Sequence, residues 1–175
     1  ERLHDRFPSL TKERSDRYGM RSQQKVAAAY EAGKIQPDLI PVALRSESGY
    51  GLATMDEGLR PETTMEGLAG LKTPFRPHGR VTAGNASPLT DGATVSMLAS
   101  ADAAKELGLT TKMRLVSFAF AGVAPEVMGI GPIPSTEKAL AKAGLSIDDI
   151  GLFELNEAFA VQVLSFLDHF GIDDE

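Results

Sequence analysis

Asn156 and Glu157 interrupt the stretch FELNEAFAVQV (153–163), in which the other residues are mostly apolar. Two polar groups at such a junction could hold a ligand, the carboxamide through two N–H donors and one acceptor. Asn next to a helix start also has an ordinary role, capping free N–H groups for about 1 kcal/mol; from these residues alone both roles stay open. GRVTAGNASPLTDGA (79–93) sets Asn85 and Ser87 among small residues, which let backbone approach a ligand or a neighbouring chain, although a tight turn explains them equally. Arg60, in GLRPETT, carries a guanidinium that pairs with phosphate and stacks on purine rings; its ordinary reading is a solvated surface charge. VMGIGPIP (127–134) opens like a dinucleotide loop, but Pro134 takes the sixth place and no clean strand precedes it, so it reads as a rigid turn into a helix.

The 175 residues contain no cysteine, which removes disulfides, thiolate metal ligands and any cysteine nucleophile from this stretch. His4, His78 and His169 lie far apart without ligand-like spacing, and no metal site is expected. A net charge of −6 with both signs scattered argues against nucleic acid as the partner, since that needs a basic face. No apolar run reaches the roughly 20 residues of a membrane span and no leader pattern opens the chain, so a cytoplasmic setting is expected. Glu1 in place of a methionine and the closing GIDDE suggest an excerpt from a longer protein.

The elements that must position these groups follow from periodicity. Residues 11–32 are rich in helix formers, with Thr11 as N-cap and Gly33 as stop, and predict one long exposed helix. Residues 34–77 read as a loop-rich excursion with few regular elements. Then strand (92–100), Ser100-capped helix ending at Gly108, strand (113–122), helix (134–144), strand (150–155) and a final helix through EAFAVQVLSFLDHF alternate. That order predicts an α/β fold with a buried, mainly parallel sheet. It places Asn156 and Glu157 where an inner strand ends and a helix begins, the edge at which open parallel sheets gather ligands.

Taken in order, RSQQKVAAA, GLRPETTMEGLAGLKTPF, GRVTAGNASPLTDGA, VMGIGPIP and LFELNEAFA resemble the middle of a thiolase, an enzyme that makes or cleaves 3-ketoacyl-CoA thioesters. The resemblance covers essentially the whole chain. It implies a piece of the layered α/β thiolase fold plus an irregular, helix-containing loop domain that covers coenzyme A. The implied division is 1–85 for the loop domain, 86–110 for the end of the N-terminal half and 111–175 for the beginning of the C-terminal half.

The resemblance also assigns roles. Asn156 would hold an oxyanion-hole water at the thioester carbonyl, and Glu157 would orient its surroundings. Ser87 would hydrogen-bond the pantetheine arm, with Ala83, Gly84 and Leu89 as wall. Ala158 and Phe159 would line the pantetheine channel, Arg60 would lie against the adenine, and Met128 would face the acyl end. Coenzyme A would be a substrate and not a permanently bound cofactor. Implied partners are CoA and acyl-CoA thioesters, a homodimer or homotetramer, and a β-oxidation complex, with the mitochondrial matrix or peroxisome as alternatives to the cytoplasm.

The departures carry an expectation of their own. Thiolases use a nucleophilic cysteine, a Gly-His-Pro histidine and a second cysteine, and none of the three is here, so these residues alone are expected to be inactive. Pro88 stands where a glycine commonly follows GNAS. The competing expectation is a short, non-catalytic acyl-CoA-binding protein.

Overall fold

The computed structural model describes residues 1–47 and 49–173; Ser48, and Asp174 and Glu175 of the closing GIDDE, lie outside them. Two compact units divide the chain: Glu1–Pro88 with Leu155–Glu175, and Leu89–Glu154.

The first unit is organised by α2 (Lys12–Glu31), which follows the short α1 (Arg2–Arg6). Thr11 caps α2, its hydroxyl accepting from the Arg14 amide at 3.1 Å, and Gly33 follows the helix at φ +66°, a backbone conformation that costs glycine little. The predicted limits therefore hold, but the helix is not simply exposed. It buries Ser15, Asp16 and Tyr30, side chains that a search for an apolar stripe passes over.

Against α2 packs α6 (Ala160–Phe170), whose Ala160, Val161, Val163, Leu164 and Phe166 are buried. With Leu3, Leu10, Leu68 and Val81 they make the core, each large aliphatic contributing about 1.5–3 kcal/mol on burial. A two-pronged pair from Arg14 to Asp168, at 2.9 and 2.7 Å, joins the two helices at a part-exposed edge, where such pairs contribute about 1 kcal/mol or less. The loop-rich stretch holds more order than its composition suggests. It forms a hairpin of β1 (Val42–Ser46) and β2 (Gly49–Ala53), antiparallel with Val42 opposite Ala53. A short α3 (Met65–Ala69) follows, capped by Thr64.

The second unit contains α4 (Ala101–Glu106), capped by Ser100, and α5 (Pro132–Ala143), closed by Gly144 at φ +70°. A 3-10 turn over Pro125–Ile130 leads into α5, so VMGIGPIP is indeed a turn feeding a helix. The three runs expected to be strands (92–100, 113–122 and 150–155) are a correction: none carries ladder pairing among the described residues. Much of their apolar content is exposed, with Val95 at 94% and Phe120 at 85%. Strand-like composition states what a segment can pair with; a ladder also needs a second main chain alongside it. Within the 113–122 run, the Ser117 hydroxyl donates to Ala139 O at 2.7 Å and Lys142 donates to Phe118 O at 3.1 Å, which ties that segment to α5. Among the described residues no helix is long and apolar enough to cross a membrane.

Candidate functional site

The first unit contains a cleft of about 440 Å³ with three walls. Tyr18, Gly19, Ser22 and Gln23 come from α2, the loop Gly84–Pro88 forms the second wall, and Asn156, Glu157, Ala158 and Ala160 form the third.

The loop wall is shaped by Asn85, which is 4% exposed. Its side-chain oxygen accepts from the Thr82 amide at 2.9 Å, while its Nδ2 donates to Asp16 Oδ1 at 2.8 Å and to Arg80 O at 2.9 Å. Asp16, itself 2% exposed, is paired with Lys12 Nζ at 2.5 Å. A buried carboxylate needs such partners, because an unpaired one costs several kcal/mol. The start of the loop is pinned by the Glu1 carboxylate, which accepts from the Arg80 and Val81 amides at 2.9 and 3.0 Å. Burial alone would raise the Glu1 pKa, but the Val81 and Arg80 amides and the Arg76 guanidinium hold it below the usual carboxylate value.

The loop and the third wall are joined by main chain. Ser87 N donates to Ala158 O at 3.0 Å and Ala160 N donates to Asn85 O at 2.9 Å, with Ala86 and Phe159 paired as an antiparallel bridge. Phe159, in extended conformation (φ −144°, ψ 136°), occupies the N-cap position of α6, and no side chain caps it. Capping by Asn156 is thereby overturned: the helix starts later than the sequence suggests, because residues 158 and 159 are committed to the loop. Asn156 stands at the cleft as an exposed carboxamide. Glu157 beside it is the one charged residue among the described lining residues, and both of its oxygens are engaged, by Tyr18 Oη at 2.6 Å and Ser22 Oγ at 2.5 Å. What the cleft offers a ligand is therefore neutral hydrogen-bonding groups beside small side chains, a surface suited to an uncharged polar chain and a carbonyl.

Of the residues singled out in sequence, Gly84, Ser87, Asn156, Glu157 and Ala158 meet in this cleft, and Phe159 is paired opposite Ala86 of its loop wall. Ala83 is exposed and lies outside the lining. Arg60 also lies outside, but its amide donates to Gln23 Oε1 at 2.7 Å, and its guanidinium donates to the Glu57 and Leu59 carbonyls at 2.6 and 2.9 Å. Leu89 and Met128 belong to the second unit and are exposed there. Tyr18, Ser22 and Gln23 were not anticipated. The one signal they carry is spacing: Tyr18 and Ser22 stand four apart, and Asp16, Gly19 and Gln23 three and four apart, which puts polar or glycine positions on adjoining parts of one helix face. Among the described residues no cluster of His, Asp and Glu is placed to hold a metal ion.

Solved structures share this architecture. The Bacillus anthracis acetyl-CoA acetyltransferase superposes with a TM-score of 0.93 at 40% identity, covering 98% of this chain and 43% of that one. Human mitochondrial 3-ketoacyl-CoA thiolase gives 0.88 at 38% identity, over 98% and 43%. The fold class is thus a piece of the α/β thiolase fold. The model of the thiolase N-terminal domain matches residues 1–102 and that of the thiolase C-terminal domain matches 109–175, and the chain belongs to the thiolase family. It is 46% identical over 167 residues to the Escherichia coli (strain K12) 3-oxoadipyl-CoA/3-oxo-5,6-dehydrosuberyl-CoA thiolase, covering 95% of this chain and 42% of the relative. It is 45% identical over 172 residues to the 3-ketoacyl-CoA thiolase of Photobacterium profundum, over 97% and 44%. The chain spans less than half the length of these relatives.

Proposed function

We propose that these residues serve as the central part of a thiolase that transfers an acyl group between 3-ketoacyl-CoA and coenzyme A. The observation that carries this reading is the joining of the 84–88 loop to Ala158 and Ala160 by two main-chain hydrogen bonds, which brings Ser87 and Asn156 to one cleft in which the single carboxylate among the described lining residues, Glu157, is already engaged. Ser87 takes the pantetheine arm, with Ala83, Gly84 and Leu89 as wall and Ala158 and Phe159 along its channel. Asn156 carries the water that steadies the thioester oxygen, and Glu157 fixes the turn on which Asn156 sits. Arg60 meets the nucleotide end of CoA, and Met128 faces the acyl end. Residues 1–85 act as the cover over CoA, 86–110 complete one α/β half and 111–175 begin the next; the two family matches, which part between residues 102 and 109, support the boundary between the halves.

The chemistry is ping-pong. A cysteine thiolate, which this chain does not contain, attacks the 3-keto carbon, and the bond to C2 breaks. The acetyl-CoA half leaves as an enolate that takes up a proton; a second CoA then gives up its thiol proton, attacks the cysteine-bound acyl group and releases the cysteine as thiolate. Coenzyme A is a substrate throughout. Self-association into dimers or tetramers, membership of a β-oxidation assembly and a cytoplasmic location, with matrix or peroxisome as alternatives, complete the proposal.

Reading the open reading frame around these residues and assaying its product for CoA-dependent cleavage of a 3-ketoacyl-CoA tests it. The expected result is a flanking frame with a reactive cysteine and turnover that the 175 residues alone lack. A frame confined to these residues, binding acyl-CoA without turnover, would replace the enzyme reading with the binding-protein one.

A further inference from the structure

We propose that Asp16 is a positioning residue, which through Asn85 sets the distance between the Ser87 loop and the turn that carries Asn156. The inference rests on the acyltransferase reading above. Asp16 lies on α2, touches neither Ser87 nor Asn156 in any hydrogen bond, and is absent from the lining of the cleft. Yet it is the one side-chain anchor of Asn85 that comes from outside the loop: the other two side-chain bonds, to Thr82 N and Arg80 O, stay within it. Asn85 in turn gives its own carbonyl to Ala160 N at 2.9 Å, so a single residue links α2, the Ser87 loop and the start of α6. Lys12 fixes the carboxylate from the other side at 2.5 Å and is itself held by Leu68 O at 2.9 Å.

The backbone contact beneath this network is equally tight. A Cβ at Gly19, one helical turn after Asp16, would lie 2.5 Å from Gly84 O, so helix and loop already meet at closest approach. Hydrogen bonds to a carboxylate are shorter and stronger than neutral ones, and a buried one holds its donor in a narrow range of positions. Loss of that anchor leaves the loop free to shift by a fraction of an ångström, on the scale to which catalytic geometry is sensitive.

The experiment uses the complete polypeptide that carries these residues, assayed well below the melting temperature of each variant. It compares a full CoA thioester with a pantetheine thioester that lacks the nucleotide. Asp16→Ala is expected to lower kcat/KM about tenfold or more with both substrates, whereas Arg60→Ala acts on the CoA thioester alone. Asp16→Asn keeps the volume and an acceptor for Asn85 but sets its own amide donor against Lys12. It is expected to lose activity to a smaller degree and to regain it in the Lys12→Met/Asp16→Asn double variant. Asp16→Asn decides the matter if Asp16→Ala does not fold. Unchanged kcat/KM in folded Asp16→Asn and Asp16→Ala, with only a lowered melting temperature, would overturn the positioning role. If Asn156→Ala and Ser87→Ala also leave the kinetics unchanged, the acyltransferase reading itself fails; if they impair turnover while the Asp16 variants do not, only this inference fails.

Discussion

The Glu157 carboxylate is held from α2 by the Tyr18 hydroxyl at 2.6 Å, while Ser22 takes its second oxygen at 2.5 Å. Four residues apart on one helix face, the two donors bracket a single side chain and fix the turn that precedes α6. Because Glu157 is exposed, these charge-assisted bonds work in competition with water. Tyr18→Phe and Ser22→Ala are each expected to cost about 1 kcal/mol of stability or less and to lower turnover severalfold in the complete polypeptide. Thermal denaturation combined with steady-state kinetics checks this; full activity in the Tyr18→Phe/Ser22→Ala double variant would contradict it.

At Gly19, α2 passes close against the loop wall. An alanine methyl there meets the carbonyl oxygen of Gly84, which is backbone and cannot swing aside. Gly19→Ala should therefore destabilise the chain by about 1–3 kcal/mol, although alanine favours helix elsewhere. Chemical denaturation measures it, and a stabilised Gly19→Ala variant would show that the approach is looser than described.

His4 is 1% exposed, with Nδ1 donating to Leu10 O at 2.5 Å in the neutral ring. Burial pushes its pKa down, and Arg80 adds to this against the Leu10 carbonyl, which favours the proton. A folded-state pKa below the unfolded value of about 6.5 means that the unfolded chain binds more protons below that pH. This residue's contribution to stability is thus lost progressively as the pH falls from about 6.5 toward the folded pKa, at no more than about 1.4 kcal/mol per pH unit. His4→Asn keeps a donor for Leu10 O and should flatten the dependence of melting temperature on pH between about 6.5 and 5; an unaltered slope would assign the effect to other groups.

How far the fold was legible in the sequence depended on which signal each element carried. Thr11 and Gly33 bound α2, and Ser100 and Gly108 bound α4, because caps and left-handed glycines act locally. The final helix is legible through Val163 and Phe166, but its start reads too early. What moves it to Ala160 is pairing between Phe159 and Ala86, a contact far along the chain that no local propensity reports. The hairpin at Val42–Ala53 was missed for a related reason: its register sets Leu44 opposite Gly51 and Arg45 opposite Tyr50, without a clean apolar face. In the site, Ser87, Asn156 and Glu157 were visible as polar residues in apolar or small-residue settings. Asp16, Tyr18, Ser22 and Gln23 were not, since on a helix rich in Lys, Arg, Glu and Gln they look like more solvated surface.

The most direct test is the turnover of Asn156→Ala in the complete polypeptide with saturating 3-ketoacyl-CoA and CoA. The expected result is a fall in kcat of about 100- to 1000-fold, the usual consequence of removing one oxyanion-hole donor, with KM for CoA changed far less. A kcat equal to that of the unsubstituted enzyme would contradict it.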